Sequence, residues 1–205
     1  LTRQRDVHGR VKARLAQSDA AASLRFAVTH ALSITFFPRW LGALETRLRH
    51  GPVQTFADHS RACEDLMAQR RVQFVLCYGH PDVPGRLDEG RYPMVILGQD
   101  TLVAVSAPDA RGHPLHPSGA AASLAVLAYS DASGLGRILH ARLPGVLGTG
   151  ASGGATPVFT AHNAFLLKTM TLAGRGVAWL PTSLIAAELE RGELVMTGEE
   201  TWRIP

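Results

Sequence analysis

Leu24-Arg25-Phe26-Ala27-Val28 is a short apolar strand, and the chain around it is read outward from there. After the turn Thr29-His30-Ala31-Leu32-Ser33, the run from Ile34 to Leu48 carries helical apolar spacing despite Pro38. Downstream, Val53-Gln54-Thr55-Phe56 reads as a second strand, Arg61 to Arg70 as a helix, and Val72 to Tyr78 as a third, strongly apolar strand. Strands alternating with helices need crossover connections, which predicts a parallel sheet covered on both faces.

The second half repeats this grammar in a different sequence. Met94 to Ser106 holds two apolar runs split by Gly98-Gln99-Asp100, and the second, Leu102-Val103-Ala104-Val105, is expected to be a crossing strand. A Gly/Pro/His-rich loop follows, then strand Leu124-Ala125-Val126-Leu127, helix Leu135 to Leu143, and a glycine-rich stretch to Thr156. Strand Pro157-Val158-Phe159, helix Asn163 to Ala173, strand Gly176 to Leu180 and helix Ser183 to Glu190 complete it. The expected fold is α/β, with two Rossmann-like lobes joined by a hinge near residues 100–107. Residues 1–22 are expected to hold an amphipathic helix that packs on another surface or on a second copy of itself, with 23–102 as lobe I, 103–198 as lobe II and 199–205 beyond them.

Composition narrows the functional classes. The 205 residues are 46% apolar and 19% charged, enough for one compact unit or two small lobes. The longest nearly uncharged apolar stretch, Gly119 to Ser130, falls short of the roughly 20 residues a spanning helix needs. The opening Leu1-Thr2-Arg3-Gln4-Arg5-Asp6 shows no secretory pattern, and Cys63 and Cys77 form no CxxC pair, so a cytoplasmic location is expected. Of the net charge of +4, residues 1–23 carry a surplus of three: Arg3, Arg5, Arg10, Lys12 and Arg14 against Asp6 and Asp19. The remainder is balanced and presents no basic surface for nucleic acid.

Several motifs are bland in context. Gly150-Ala151-Ser152-Gly153-Gly154 matches a hydrolase nucleophile pattern but lacks the preceding strand and following helix. The nine histidines include no ligand pair at helical spacing; His113 and His116 sit in a loop, so no metal site is expected. Gly134-Leu135-Gly136 lacks the third glycine of a dinucleotide fingerprint, and no cofactor is expected. What remains is a set of polar residues at strand ends, where α/β sheets bind ligands. The candidate effector-binding residues are Thr29, His30, Ala31 and Ser33, then Tyr78 and His80, then Ser130, Asp131 and Ser133, and finally Thr160, His162 and Asn163. Each turn alone is accounted for by helix capping; their recurrence in both halves points to one ligand cleft. Arg25 and Arg137 each read equally as a group that holds an anionic ligand and as a surface residue.

Leu24 to Thr29, Phe37-Pro38-Arg39-Trp40-Leu41, Gly174-Arg175-Gly176-Val177-Ala178-Trp179-Leu180-Pro181 and Leu189-Glu190-Arg191-Gly192-Glu193-Leu194-Val195 together resemble the effector-binding domain of LysR-type transcriptional regulators over about residues 24–198. Cys77-Tyr78-Gly79-His80-Pro81 and Leu166-Leu167-Lys168-Thr169-Met170 are similar to the hypochlorite-responsive branch. The resemblance implies lobes of the periplasmic-binding-protein type II kind, a small-molecule effector in the cleft, and a homodimer or homotetramer. It also implies promoter DNA bound through a helix-turn-helix head expected before Leu1, and a last strand and helix expected after Pro205. Thr29 falls at the family's effector-contacting turn, whereas Ala31 departs from the Ser or Thr common there, which removes a usual anion contact. If the stimulus is an oxidant, the candidate sulfurs are Cys63, Cys77, Met67, Met94, Met170 and Met196. The competing expectation is a transporter's solute-binding protein, which shares the two-lobed plan; no catalytic constellation supports an enzyme.

Overall fold

The computed structural model describes residues 23–47, 50–88, 90–117, 124–144 and 155–205. The amphipathic helix expected over 1–22 and the Gly150–Gly154 motif lie outside them. The described residues fall into two compact units, one within 1–58, 62–77 and 85–97, the other within 59–61, 78–84 and 98–205.

The first unit is built on β1 (Leu24–Thr29), with β2 (Val53–Asp58) and β3 (Phe74–Leu76) parallel on either side. Alternation along β1 separates two packing faces. Phe26 meets Phe37 at 5.2 Å, Trp40 at 6.0 Å and Phe74 at 4.9 Å between ring centroids, whereas Ala27 packs with Cys63 and Val72. The helical run after the turn divides into α1 (His30–Thr35) and α2 (Phe37–Glu45), with Phe36 between them. Pro38 explains the break: in the first turn of α2 its missing N–H would have no intrahelical partner anyway, whereas deeper in one helix it would cost a hydrogen bond. Helix α3 (Ser60–Ala68) brings Cys63 under the sheet, with Leu66, Met67 and Val75 around it.

In the second unit, β4 (Leu102–Ser106) is buried along its whole length. It pairs antiparallel with β7 (Ala178–Pro181) on one edge and with β8 (Val195–Met196) on the other. β4, expected as a crossing strand, runs antiparallel to both neighbours and is not a member of a βαβ repeat. β5 (Ala125–Tyr129) and β6 (Thr156–Ala161) are parallel, with a register irregularity at Val126/Leu127, and Val177 bridges β5 toward β7. A Cβ at Gly176 would lie 2.7 Å from the Ala125 carbonyl oxygen, so this approach of the two strands requires glycine. Helices α4 (Gly134–Arg142), α5 (Ala164–Leu172) and α6 (Thr182–Glu190) complete the unit. Its core is Trp179, Leu180, Ile185, Leu167 and Leu127, all fully buried, and Trp179's carbonyl accepts from the Tyr129 hydroxyl at 2.9 Å. Burial pushes the Tyr129 phenol far above its ordinary range, so it stays a donor. The apolar run Met94 to Leu97 belongs to no helix or strand, with Met94, Ile96 and Leu97 exposed.

Candidate effector site

Helices α4 and α5 begin at strand ends that carry polar turns, and α3 begins just after β2. Ser133 precedes α4 with extended backbone, and its Oγ accepts from the Gly136 N–H at 3.2 Å. Asn163 does the same for α5, its Oδ1 accepting from Phe165 N–H at 2.9 Å. Ser133 and Asn163 are thus N-caps, and their side chains are committed to the helices they start. Gly136 is obligatory: a Cβ there would lie 2.7 Å from Tyr129 Cβ.

Ser60, which belongs to the second unit, comes against the first turn of α4. A Cβ on Gly134 would stand 3.0 Å from both Ser60 Cβ and Oγ, and Arg137 Nη2 donates to Ser60 Oγ at 3.0 Å. Ser60 is buried, and Arg137 is half-buried. One residue before α3, the His59 ring meets that of His162 edge-on at 5.4 Å. Arg137, His59 and His162 therefore gather beside helix amino termini whose first turns contain no acidic residue. Oriented N–H groups and a guanidinium at one place form an anion-attracting surface. His162 and Arg137 were legible as candidates; His59 and Ser60 were not, because they become neighbours of α4 and α5 only through the fold.

The other candidates have different surroundings. In the first unit, Thr29 ends β1 and makes no capping bond; its hydroxyl is buried without a hydrogen-bond partner among the described residues. Ser33 Oγ donates to the His30 carbonyl at 2.8 Å, Ala31 is buried in α1, and His30 is half-buried. Arg25 lies on β1, where its backbone N–H donates to Gln73 Oε1. In the second unit, Tyr78 donates to Asp100 Oδ2 at 3.1 Å. His80 accepts from the Asp82 N–H through Nδ1 at 3.1 Å, in a turn that Asp82 ties to Arg142 on α4. Ser130 N–H donates to Ala161, Asp131 and Thr160 are exposed, and none of the three takes part in the Arg137 cluster by a hydrogen bond among the described residues. His116, read as a hydrogen-bonding loop histidine, meets the Gly174 carbonyl through Nε2 at 2.9 Å.

Asp100 is the residue the sequence reading passed over. It accepts from Thr101 N–H, Thr182 Oγ1 at 2.7 Å, Ser183 Oγ at 2.6 Å and Ser183 N–H. Burial pushes its carboxyl upward, but the donors on Ser183, Thr182 and Thr101 outweigh it and hold the group below the usual carboxylate range. It caps α6 from 82 residues away in sequence, so no local pattern announces it.

The sulfurs differ in exposure. Cys63 is buried and its thiol is pushed up to about 12 by desolvation and by Asp58. Cys77 is exposed, Met67 and Met170 are half-buried, and Met94 and Met196 are exposed at 69% and 46%. Among the described residues no group of three His, Cys, Asp or Glu could hold a metal ion, and no helix is long and apolar enough to cross a membrane.

The family model for the LysR substrate binding domain matches residues 17–205. The apo regulatory domain of HypT from Salmonella typhimurium has a similar fold, with a TM-score of 0.72 at 21% identity over 92% of this chain and 85% of that one. Vibrio fischeri DarR in complex with DNA gives 0.72 at 22% identity, over 97% of this chain and 66% of its own. Full-length HypT, a hypochlorite-specific LysR-type regulator, gives 0.71 at 21% identity, over 98% and 65%. At these identities the likeness is one of fold. No curated protein sequence matches the chain. With residues 17–205 matched and a two-unit α/β fold, the chain belongs to the LysR substrate-binding-domain family, the effector-sensing part of LysR-type transcriptional regulators and not the solute-binding protein of a transporter.

Proposed function

We propose that this domain binds a small anionic effector at its strand-end turns and, in a homo-oligomeric cytoplasmic regulator, passes that event to helix-turn-helix heads on promoter DNA. The observation that carries the effector's class is Arg137 set against Ser60 at the amino ends of α3 and α4, with His59 and His162 beside it. The HypT regulatory domain also occurs in a bromide-bound form, in keeping with an anion. The domain acts by binding, without catalysis; a ligand shifts its states only by its difference in affinity for them.

A thermal-shift screen of carboxylates, oxyanions and amino acids tests this, because a ligand that binds only the folded state raises the melting temperature. At least one anion is expected to do so, and Arg137→Ala to abolish that rise while melting normally without ligand. Indifference to every anion overturns the reading.

A second reading is oxidant sensing, the stimulus named for HypT. The exposed thioethers of Met94 and Met196 and the exposed Cys77 thiol favour it.

A further inference from the structure

Residues 78–84 belong to the second unit, although the chain on either side of them, 62–77 and 85–97, belongs to the first. They begin just past β3 and fold back on themselves. His80 and Val83 form an isolated antiparallel bridge, in which Val83 N–H donates to the His80 carbonyl at 3.0 Å, and Asp82 N–H donates to His80 Nδ1 at 3.1 Å. Side chains seat this turn on the second unit at both of its ends. The Tyr78 hydroxyl donates to Asp100 Oδ2 at 3.1 Å, and the Asp82 carboxylate pairs with Arg142 in the last turn of α4. In the first unit the chain is fixed again on both sides, by the pairing of β3 with β1 before the turn and by Arg86 on Glu64 and Asp65 of α3 after it.

Both ties are weak, for different reasons. A hydroxyl that donates to a carboxylate normally stands about 2.5–2.7 Å away, as Ser183 Oγ and Thr182 Oγ1 do at 2.6 and 2.7 Å; Tyr78 at 3.1 Å is the long member of the set. Releasing Tyr78 therefore leaves Asp100 still satisfied at α6. The Asp82 side chain is 63% exposed and that of Arg142 42%, so water and salt compete with their pair. None of residues 78–84 is buried as a whole, whereas every residue of β4 is. A segment with so little burial opens at a cost far below that of global unfolding. We propose that residues 78–84 are a detachable strap, seated on the second unit through Tyr78–Asp100 and Asp82–Arg142, that lifts while β1 and β4 stay paired. A turn closed by a single bridge is marginal by itself, so the lifted strap also loses its internal hydrogen bonds. Ionic strength controls the seating, because screening shortens the reach of charge from about 10 Å at 0.1 M salt to about 3 Å at 1 M. The strap goes beyond the effector reading and does not depend on it.

The test is amide hydrogen exchange of the whole chain, read by peptide mass spectrometry in 0.1 M and 1 M sodium chloride. The amides of Asp82 and Val83, hydrogen-bonded inside the turn, report its opening and are expected to exchange faster than those of β4. Tyr78→Phe and Arg142→Gln remove one tie each at a distance from these reporters. Each should speed their exchange about two- to tenfold and leave β1 and β4 peptides unchanged. In the native chain 1 M salt should act as Arg142→Gln does, and in that variant it should add nothing. Melting curves check that each variant is folded; if Tyr78→Phe is not, Arg142→Gln with its salt comparison decides. Exchange at Asp82 and Val83 as slow as in β4, no acceleration in the folded variants, equal acceleration in β1 and β4, or an undiminished salt effect in Arg142→Gln overturns the proposal.

Discussion

Asp100 carries more of the second unit than its position between two apolar runs suggests. One carboxylate takes four hydrogen bonds from Thr101, Thr182 and Ser183 at the amino end of α6, and a fifth from Tyr78. Because its folded pKa is lowered, its contribution to stability is complete above the unfolded carboxylate range near pH 4 and is lost as pH falls through the folded value. Asp100→Asn should cost about 1 kcal/mol in urea unfolding at pH 7, the scale of a lost cap, and much less at acid pH. An equal cost at both would show that ionisation plays no part. Gly136 is tested by Gly136→Ala, which forces a Cβ against Tyr129 and should destabilise by about 1–3 kcal/mol in the same measurement. For the cysteines, alkylation of the native chain at pH 8 should modify Cys77 alone, because the Cys63 thiol, buried and pushed up to about 12, forms almost no thiolate there.

At the scale of elements, each unit is held by the face that its central strand turns to the helices. Phe26 joins α2 to β3 through one aromatic cluster, so Phe26→Ala should cost about 3–5 kcal/mol in unfolding experiments. A small loss would mean that the Phe37, Trp40 and Phe74 rings close the gap without it. Helices α5 and α6 are joined differently: Lys168 donates to Glu188 at 2.7 Å and to the Leu184 carbonyl at 3.3 Å, with its ammonium over the Phe165 ring. Burial pushes Glu188 upward, but the Lys168 hydrogen bond outweighs it and the carboxyl lies below its ordinary range. A double-mutant cycle of Lys168→Met and Glu188→Leu should give a coupling of about 0.5–3 kcal/mol, and additivity would reduce the pair to a surface contact. The break between α1 and α2 shows how one proline sets an element's length: the apolar spacing continues through it, but the hydrogen-bond ladder does not.

For the whole molecule, exposed apolar residues on α1, β2, β6 and α5, among them Ile34, Phe56, Val158 and Leu166, suit a chain that assembles with copies of itself. Light scattering at micromolar concentration should report a dimer or larger, and a stable monomer would remove that part of the proposal. The alternation of apolar strands and helices was enough to identify an α/β fold, because a run such as Leu24–Thr29 can satisfy its backbone and its side chains only inside a sheet with helices over it. The strand ends carrying Ser133, Asn163 and His162 could be located for the same reason, since a helix that follows a strand must begin with a cap or a turn. The direction of β4 could not be read, because parallel and antiparallel strands share the same apolar pattern and differ only in which edge receives them. Nor could the meeting of Ser60 with Arg137, of His59 with His162, or of Asp100 with Ser183, each joining segments 77 or more residues apart. Local sequence determined the elements and their order. Their juxtaposition, and with it the charge and donors of the candidate site, was decided by packing between distant parts of the chain, where shape and burial set the partners.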